Sequence, residues 1–123
     1  MKSSGLFLLS LIAVLLAFCT VESPSISVSE IPVNILNGKI DSDISITQHH
    51  KVIFKVTSDR VGVLHIHGYD IKVDVLEDKT SFVEFVAKVT GSFKLAFHEA
   101  VDSDHKKHGH EEVIVGTMQI LPK

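Results

Sequence analysis

Leu64-His65-Ile66-His67-Gly68-Tyr69-Asp70 is the stretch on which the reading of this chain turns. It joins two segments of alternating apolar and polar residues, 61–67 and 71–76. Successive side chains of an extended strand point to opposite faces, so His65 and His67 share one face while Leu64 and Ile66 share the other. Two residues of strand rise separate the backbones of the two histidines by roughly 6–7 Å. At that spacing both imidazoles can converge on one metal ion or one carboxylate. Gly68 then lets the backbone turn, because glycine takes positive φ at little steric cost.

The same alternation continues on both sides. In 51–57, Val52, Phe54 and Val56 take one face, with Lys51, Lys55 and Thr57 on the other. In 71–76, Ile71, Val73 and Val75 oppose Lys72 and Asp74. Val83, Phe85, Ala87 and Val89 share a face within 81–89. Phe93, Leu95 and Phe97 point inward in the next strand, opposite Lys94, Ala96 and His98. Residues 113–121 read as the final strand. Toward the N-terminus, a first strand spans 31–36, with Pro32 near its start, where a missing N–H is tolerated on an edge. Asn37-Gly38 is a hairpin signal, since both residues accept positive φ, and 39–47 reads as one short polar strand carrying Ile40, Ile44 and Ile46. Turns fall at Ser58-Asp59-Arg60, Glu77-Asp78-Lys79 and Thr90-Gly91-Ser92. Seven or eight short strands with turns roughly every 8–12 residues predict an all-β sandwich. No 3.6-residue period is sustained beyond the N-terminal segment.

That N-terminal segment has the makeup of a secretory signal peptide: Lys2, a nearly continuous apolar run from Leu6 to Ala17, then small or polar residues at Cys19, Thr20 and Ser23. The run is shorter than the ~20 residues of a bilayer-spanning helix. Cleavage after Cys19 divides the chain into a signal peptide (1–19), a Ser/Glu-rich linker (20–30) and one β-sandwich domain (31–123). The product is exported, periplasmic or secreted. Alternatively, Leu16-Ala17-Phe18-Cys19 acts as a poor lipobox, and the protein is held at a membrane through lipidated Cys19. Cys19 is the chain's one cysteine, so the domain contains no disulfide and no thiolate ligand. With 12 Lys+Arg against 15 Asp+Glu, a net charge of −3, it lacks the basic footprint of a nucleic-acid binder.

The run Asp59…Leu64-His65-Ile66-His67-Gly68-Tyr69-Asp70-Ile71, then Phe85…Thr90-Gly91-Ser92-Phe93…Phe97-His98, then Val115-Gly116-Thr117-Met118-Gln119-Ile120 resembles the cupredoxin-like domains of exported bacterial proteins. The resemblance covers about 31–122 and implies a Greek-key β-sandwich. In copper-binding members it further implies a metal site fed by one mid-chain histidine and by ligands from the loop before the last strand. His67 matches that histidine by position. A blue-copper site needs a cysteine thiolate, two histidines and a weak axial methionine. Here the cysteine position falls on Phe97 or His98 and the methionine position on Ile114, while Met118 reads as core. The resemblance therefore implies the fold without blue-copper electron transfer.

Imidazole suits Cu(II) and Zn(II), and the divalent order favours copper. His65, His67 and His98 form the candidate metal site. His105, His108 and His110, in the polar loop 99–112, are weaker candidates beside Lys106 and Lys107, and Asp102, Asp104, Glu111 and Glu112 offer carboxylate oxygens. Asp70 reads either as a hydrogen-bond partner of the turn or as a residue orienting a histidine, Tyr69 as a cover over the sandwich end, and His49-His50 as surface. The chain has no Gly-x-Ser-x-Gly elbow, no His-Glu-x-x-His and no phosphate loop, so it reads as a binding protein and not an enzyme. The expectation is an exported protein that binds copper, or alternatively zinc, for storage, delivery or tolerance. The competing reading is a metal-free interaction module that docks an envelope protein.

Overall fold

The computed structural model describes residues 25–100 and 112–123; the predicted signal peptide, Cys19, residues 20–24 of the predicted linker and the loop histidines lie outside them. Nine strands make up the described residues: β1 (Val28–Leu36), β2 (Lys39–Ile40), β3 (Ile44–Thr47), β4 (Lys51–Ser58), β5 (Gly62–Ile66), β6 (Ile71–Val75), β7 (Ser81–Val86), β8 (Gly91–Glu99) and β9 (Val113–Leu121). They form two sheets. The first, sheet A, has the order β2-β1-β4-β7, and the second, sheet B, β3-β9-β8-β5-β6. Neighbours pair antiparallel except β1 with β4 and β3 with β9, which are parallel. A parallel neighbour requires a crossover; between β1 and β4 the chain visits sheet B through β3 and returns.

The alternation in sequence is the alternation in burial. Val33, Ile35, Val52, Phe54, Val56 and Phe85 line sheet A's inner face, against Ile44, Ile46, Leu64, Ile66, Val75, Leu95, Phe97, Met118 and Ile120 of sheet B. Phe54 and Phe85 meet edge-on, centroids 5.3 Å apart, an arrangement that aromatic quadrupoles favour. Tyr69 packs on Phe85 and Phe93, and its hydroxyl donates to the Val89 carbonyl and accepts from the Val89 N–H, tying the Gly68 turn to the loop before β8. Asn37 and Gly38 both adopt positive φ, as the predicted hairpin requires.

Three expectations change. First, β1 begins at Val28, inside the predicted linker, because Val28, Ser29 and Glu30 pair with Lys51, Val52 and Ile53 of β4. β2 covers only Ile35 and Leu36 of β1, so that among the described residues no strand pairs with the other side of β1 at Pro32. Second, the segment predicted as one strand, 39–47, is two: β2 in sheet A and β3 in sheet B, with the chain changing sheets at Asp41-Ser42-Asp43. Third, β7 ends at Val86, and Val89 is exposed, not inward-facing.

Candidate metal centre

β5, β8 and the approach to β9 build one site on the outer face of sheet B. β5 pairs with β8 so that His65 lies opposite Ala96 and Val63 opposite His98. Leu64 and Ile66 are fully buried, and the pleat turns His65 outward between them. His98 is turned outward in the same way by Phe97 on the inner side. Ala96 also alternates outward, yet it is fully buried and stands apart from the core cluster. It forms the floor between the imidazoles; its methyl group leaves room for larger neighbours to close over it. Just beyond the last ladder pairs of β8 and β9, Ala96–Ile114 and Phe97–Val113, Glu112 stands across from His98.

These placements bring four side chains together. The rings of His65 and His67 lie 4.3 Å apart between centroids, and those of His65 and His98 6.3 Å apart. Ligand atoms of His65, His98 and Glu112 all lie within 4.8 Å of one another. His67 Nε2 contacts Glu112 Oε1. An ionised carboxylate only accepts hydrogen bonds, so His67 is the donor. That hydrogen bond is the largest influence holding the Glu112 carboxyl below its ordinary value; desolvation, next in size, opposes it, and the proximity of His67, His98 and His65 adds smaller lowering effects. His65 Nε2 lies 3.3 Å from Asp70 Oδ1, the pairing expected for an orienting carboxylate. The His65 side chain is 17% exposed, and those of His67 and Glu112 are each 37% exposed. The site is therefore an open, shallow cluster on a sheet face.

Of the residues predicted from sequence, His65 and His98 come within ligand distance of a common point, and His67 stands beside them. His105, His108 and His110 lie outside the described residues. His49 is exposed, and His50 Nδ1 lies 2.9 Å from Ser29 Oγ, away from the cluster. Glu112 was one of four acidic candidates in its loop, and its sequence offers nothing to single it out. Its place depends on the β8–β9 register, which only the folded sheet specifies.

The arrangement supplies two imidazole nitrogens and one carboxylate oxygen, a donor set that fits Cu(II). No cysteine is present among the described residues, and Met118 is buried in the core. The end of the sandwich near β8's last residue is held by a separate polar network. Arg60 Nε lies 3.0 Å from Asp59 Oδ1 and Arg60 Nη1 3.2 Å from Glu99 Oε2, while the Asn37 N–H donates to Asp59 Oδ2 at 2.8 Å.

With this geometry in view, the chain can be set against known proteins. No family model and no curated protein sequence matches it. Solved structures do. The periplasmic domain of subunit II of cytochrome oxidase (CoxB) of Bradyrhizobium japonicum is similar at a TM-score of 0.56 and 12% identity, covering 76% of this chain and 83% of that one. A chain of a heme-copper terminal oxidase dimer is similar at a TM-score of 0.58 and 18% identity, covering 79% and 65%. A copper binding protein in its apo form is similar at a TM-score of 0.52 and 12% identity, covering 80% and 93%. The fold is a cupredoxin-like β-sandwich. At these identities the likeness establishes this cupredoxin-like architecture and leaves the chemistry to the residues themselves.

Proposed function

We propose that this cupredoxin-like protein is exported and binds Cu(II) through the histidines of the sheet B cluster, serving metal storage, delivery or tolerance. One observation carries the reading: the ligand atoms of His65, His98 and Glu112 lie within 4.8 Å of one another, with His67 in contact with the carboxylate. Nitrogen and oxygen donors suit Cu(II), and the described residues contain no thiolate to make a blue-copper centre. Support also comes from the neighbours, which include a copper binding protein and a periplasmic domain. The periplasmic setting of the oxidase subunit II domain agrees with the signal-peptide pattern of the first 19 residues. The protein acts as a binding protein, with the metal ion and an envelope protein that supplies or receives it as partners.

The test is a Cu(II) titration of the purified chain, followed by calorimetry, visible absorption and EPR, with Zn(II) run in parallel. One tight Cu(II) equivalent is expected, lacking an intense thiolate charge-transfer band and lost in His65→Ala and His98→Ala. Weak, multi-equivalent binding that survives both substitutions would overturn the reading. It would favour the metal-free interaction module, for which Phe82, 61% exposed on edge strand β7, is the observation in hand.

A further inference from the structure

His67 and Glu112 are in contact, yet only Glu112 falls in the set of ligand atoms that approach one another with those of His65 and His98. The donor nitrogen in that contact is His67 Nε2, which is turned to the carboxylate and carries a proton when it donates to it, and neither His67 ring nitrogen joins the common set. Glu112 accepts from His67 at Oε1, and an ionised carboxylate keeps further acceptor capacity for a cation beyond that one hydrogen bond. The backbone agrees with this division. His67 lies beyond the end of β5, where its N–H donates to the Lys94 carbonyl at 3.0 Å. His65 and His98 stand on the β5–β8 ladder itself, diagonal to one another across Ala96.

We infer that the metal is held by His65, His98 and Glu112, a set of two imidazoles and one carboxylate, and that His67 is a positioning residue that aims the Glu112 carboxylate at the ion. The inference rests on the copper-binding reading above and assigns roles within it. Carboxylates that bind metals are themselves hydrogen-bonded, and loss of such an outer partner weakens metal binding about 10–100-fold. Three protein ligands leave coordination positions open on an exposed face. An incoming donor, from water or from the side chain of a metal-exchanging partner, can reach the ion there without first displacing a protein ligand.

The experiment compares Cu(II) affinity and EPR spectra of the full chain with those of His67→Ala, His67→Gln, Glu112→Gln and the double variant His67→Ala/Glu112→Gln. Circular dichroism of each metal-free variant confirms that it folds. Expected results are a 10–100-fold weaker affinity in His67→Ala, with the wild-type nitrogen hyperfine pattern unchanged, and recovery to within a few-fold in His67→Gln, whose amide N–H can replace the imidazole donor. The double variant should bind no more weakly than Glu112→Gln alone, because the two residues act through one contact. A hyperfine pattern that loses a nitrogen in His67→Ala would overturn the assignment by making His67 a ligand. Wild-type affinity in His67→Ala would overturn it by making His67 irrelevant. Both results leave copper binding standing, whereas the absence of a tight equivalent in the wild-type chain overturns the copper reading and this assignment with it.

Discussion

The two outer faces of the sandwich are made by the same strand alternation and end in opposite states. On sheet A, Lys51 pairs with Glu84 at 2.7 Å and Lys55 with Glu30 at 2.5 Å, each across a strand boundary. Every one of these side chains is 40–55% exposed, so each pair is worth about 0–1 kcal/mol. Cation and anion satisfy one another and leave nothing directed at a third party. On sheet B, three imidazoles and one carboxylate gather near the buried Ala96, which stands opposite His65 in the β5–β8 ladder. Here His67 is paired with Glu112, while His65, His98 and Glu112 bring ligand atoms toward a common point. The outward positions of sheet A are paired off as opposite charges, whereas those of sheet B gather imidazoles and a carboxylate whose ligand atoms approach one another.

The largest expected effect erases the comparison altogether. Phe54→Ala removes the aromatic that packs on Phe85 in the shared core and should lower unfolding free energy by about 3–5 kcal/mol, read by urea denaturation; a loss under about 1 kcal/mol would show that the core does not rest on this pair. Ala96→Leu attacks the sheet B face alone. It should cost about 1–3 kcal/mol by overpacking and lower Cu(II) affinity at least tenfold, about 1.4 kcal/mol, as its side chain pushes the imidazoles apart; unchanged affinity by calorimetry would mean that Ala96 is no floor. Lys55→Ala is the matching change on sheet A. It should shift stability by less than about 1 kcal/mol, by less still in high salt, and leave copper uptake unaltered.

The smallest effect concerns acid. The hydrogen bond from Arg60, then that from the Asn37 N–H, holds the Asp59 carboxyl below its ordinary value of 3.8. A carboxylate with a lowered folded pKa contributes stability that is fully present above the ordinary value and is lost as pH falls through the folded one. Asp59→Asn should therefore flatten the decline in melting temperature below that value while leaving Cu(II) affinity at neutral pH unchanged. An equally steep decline in the variant would assign the acid sensitivity to other carboxylates.

Much of this was legible because strand alternation is a local signal. Leu64 and Ile66 inward with His65 outward follows from period two alone, as does the inward set Phe93, Leu95 and Phe97. What escaped depends on partners remote in sequence. Val28, Ser29 and Glu30 form strand because β4 lies beside them, and no local pattern marks that. The break at Asp41-Ser42-Asp43 was hidden because Ile40, Ile44 and Ile46 keep the same apolar spacing whether one sheet or two receive them. The site divides in the same way. Shared facing of His65 and His67 could be read directly, but the role of Glu112 depends on which residue of β8 its strand meets.

The position of β9 between β3 and β8 governs when this molecule can come into being. Ile44 waits for Met118 as its ladder partner, a pairing between residues far apart along the chain, and such non-local closures slow folding. During synthesis, the chain holds both His65 and His98 well before Glu112 and the strand that fixes its position. Sheet B is closed by the same segment that delivers the carboxylate, so a half-made chain has imidazoles but no assembled cluster. Completion of sheet B and assembly of the cluster of His65, His98 and Glu112 are one event in the life of the chain.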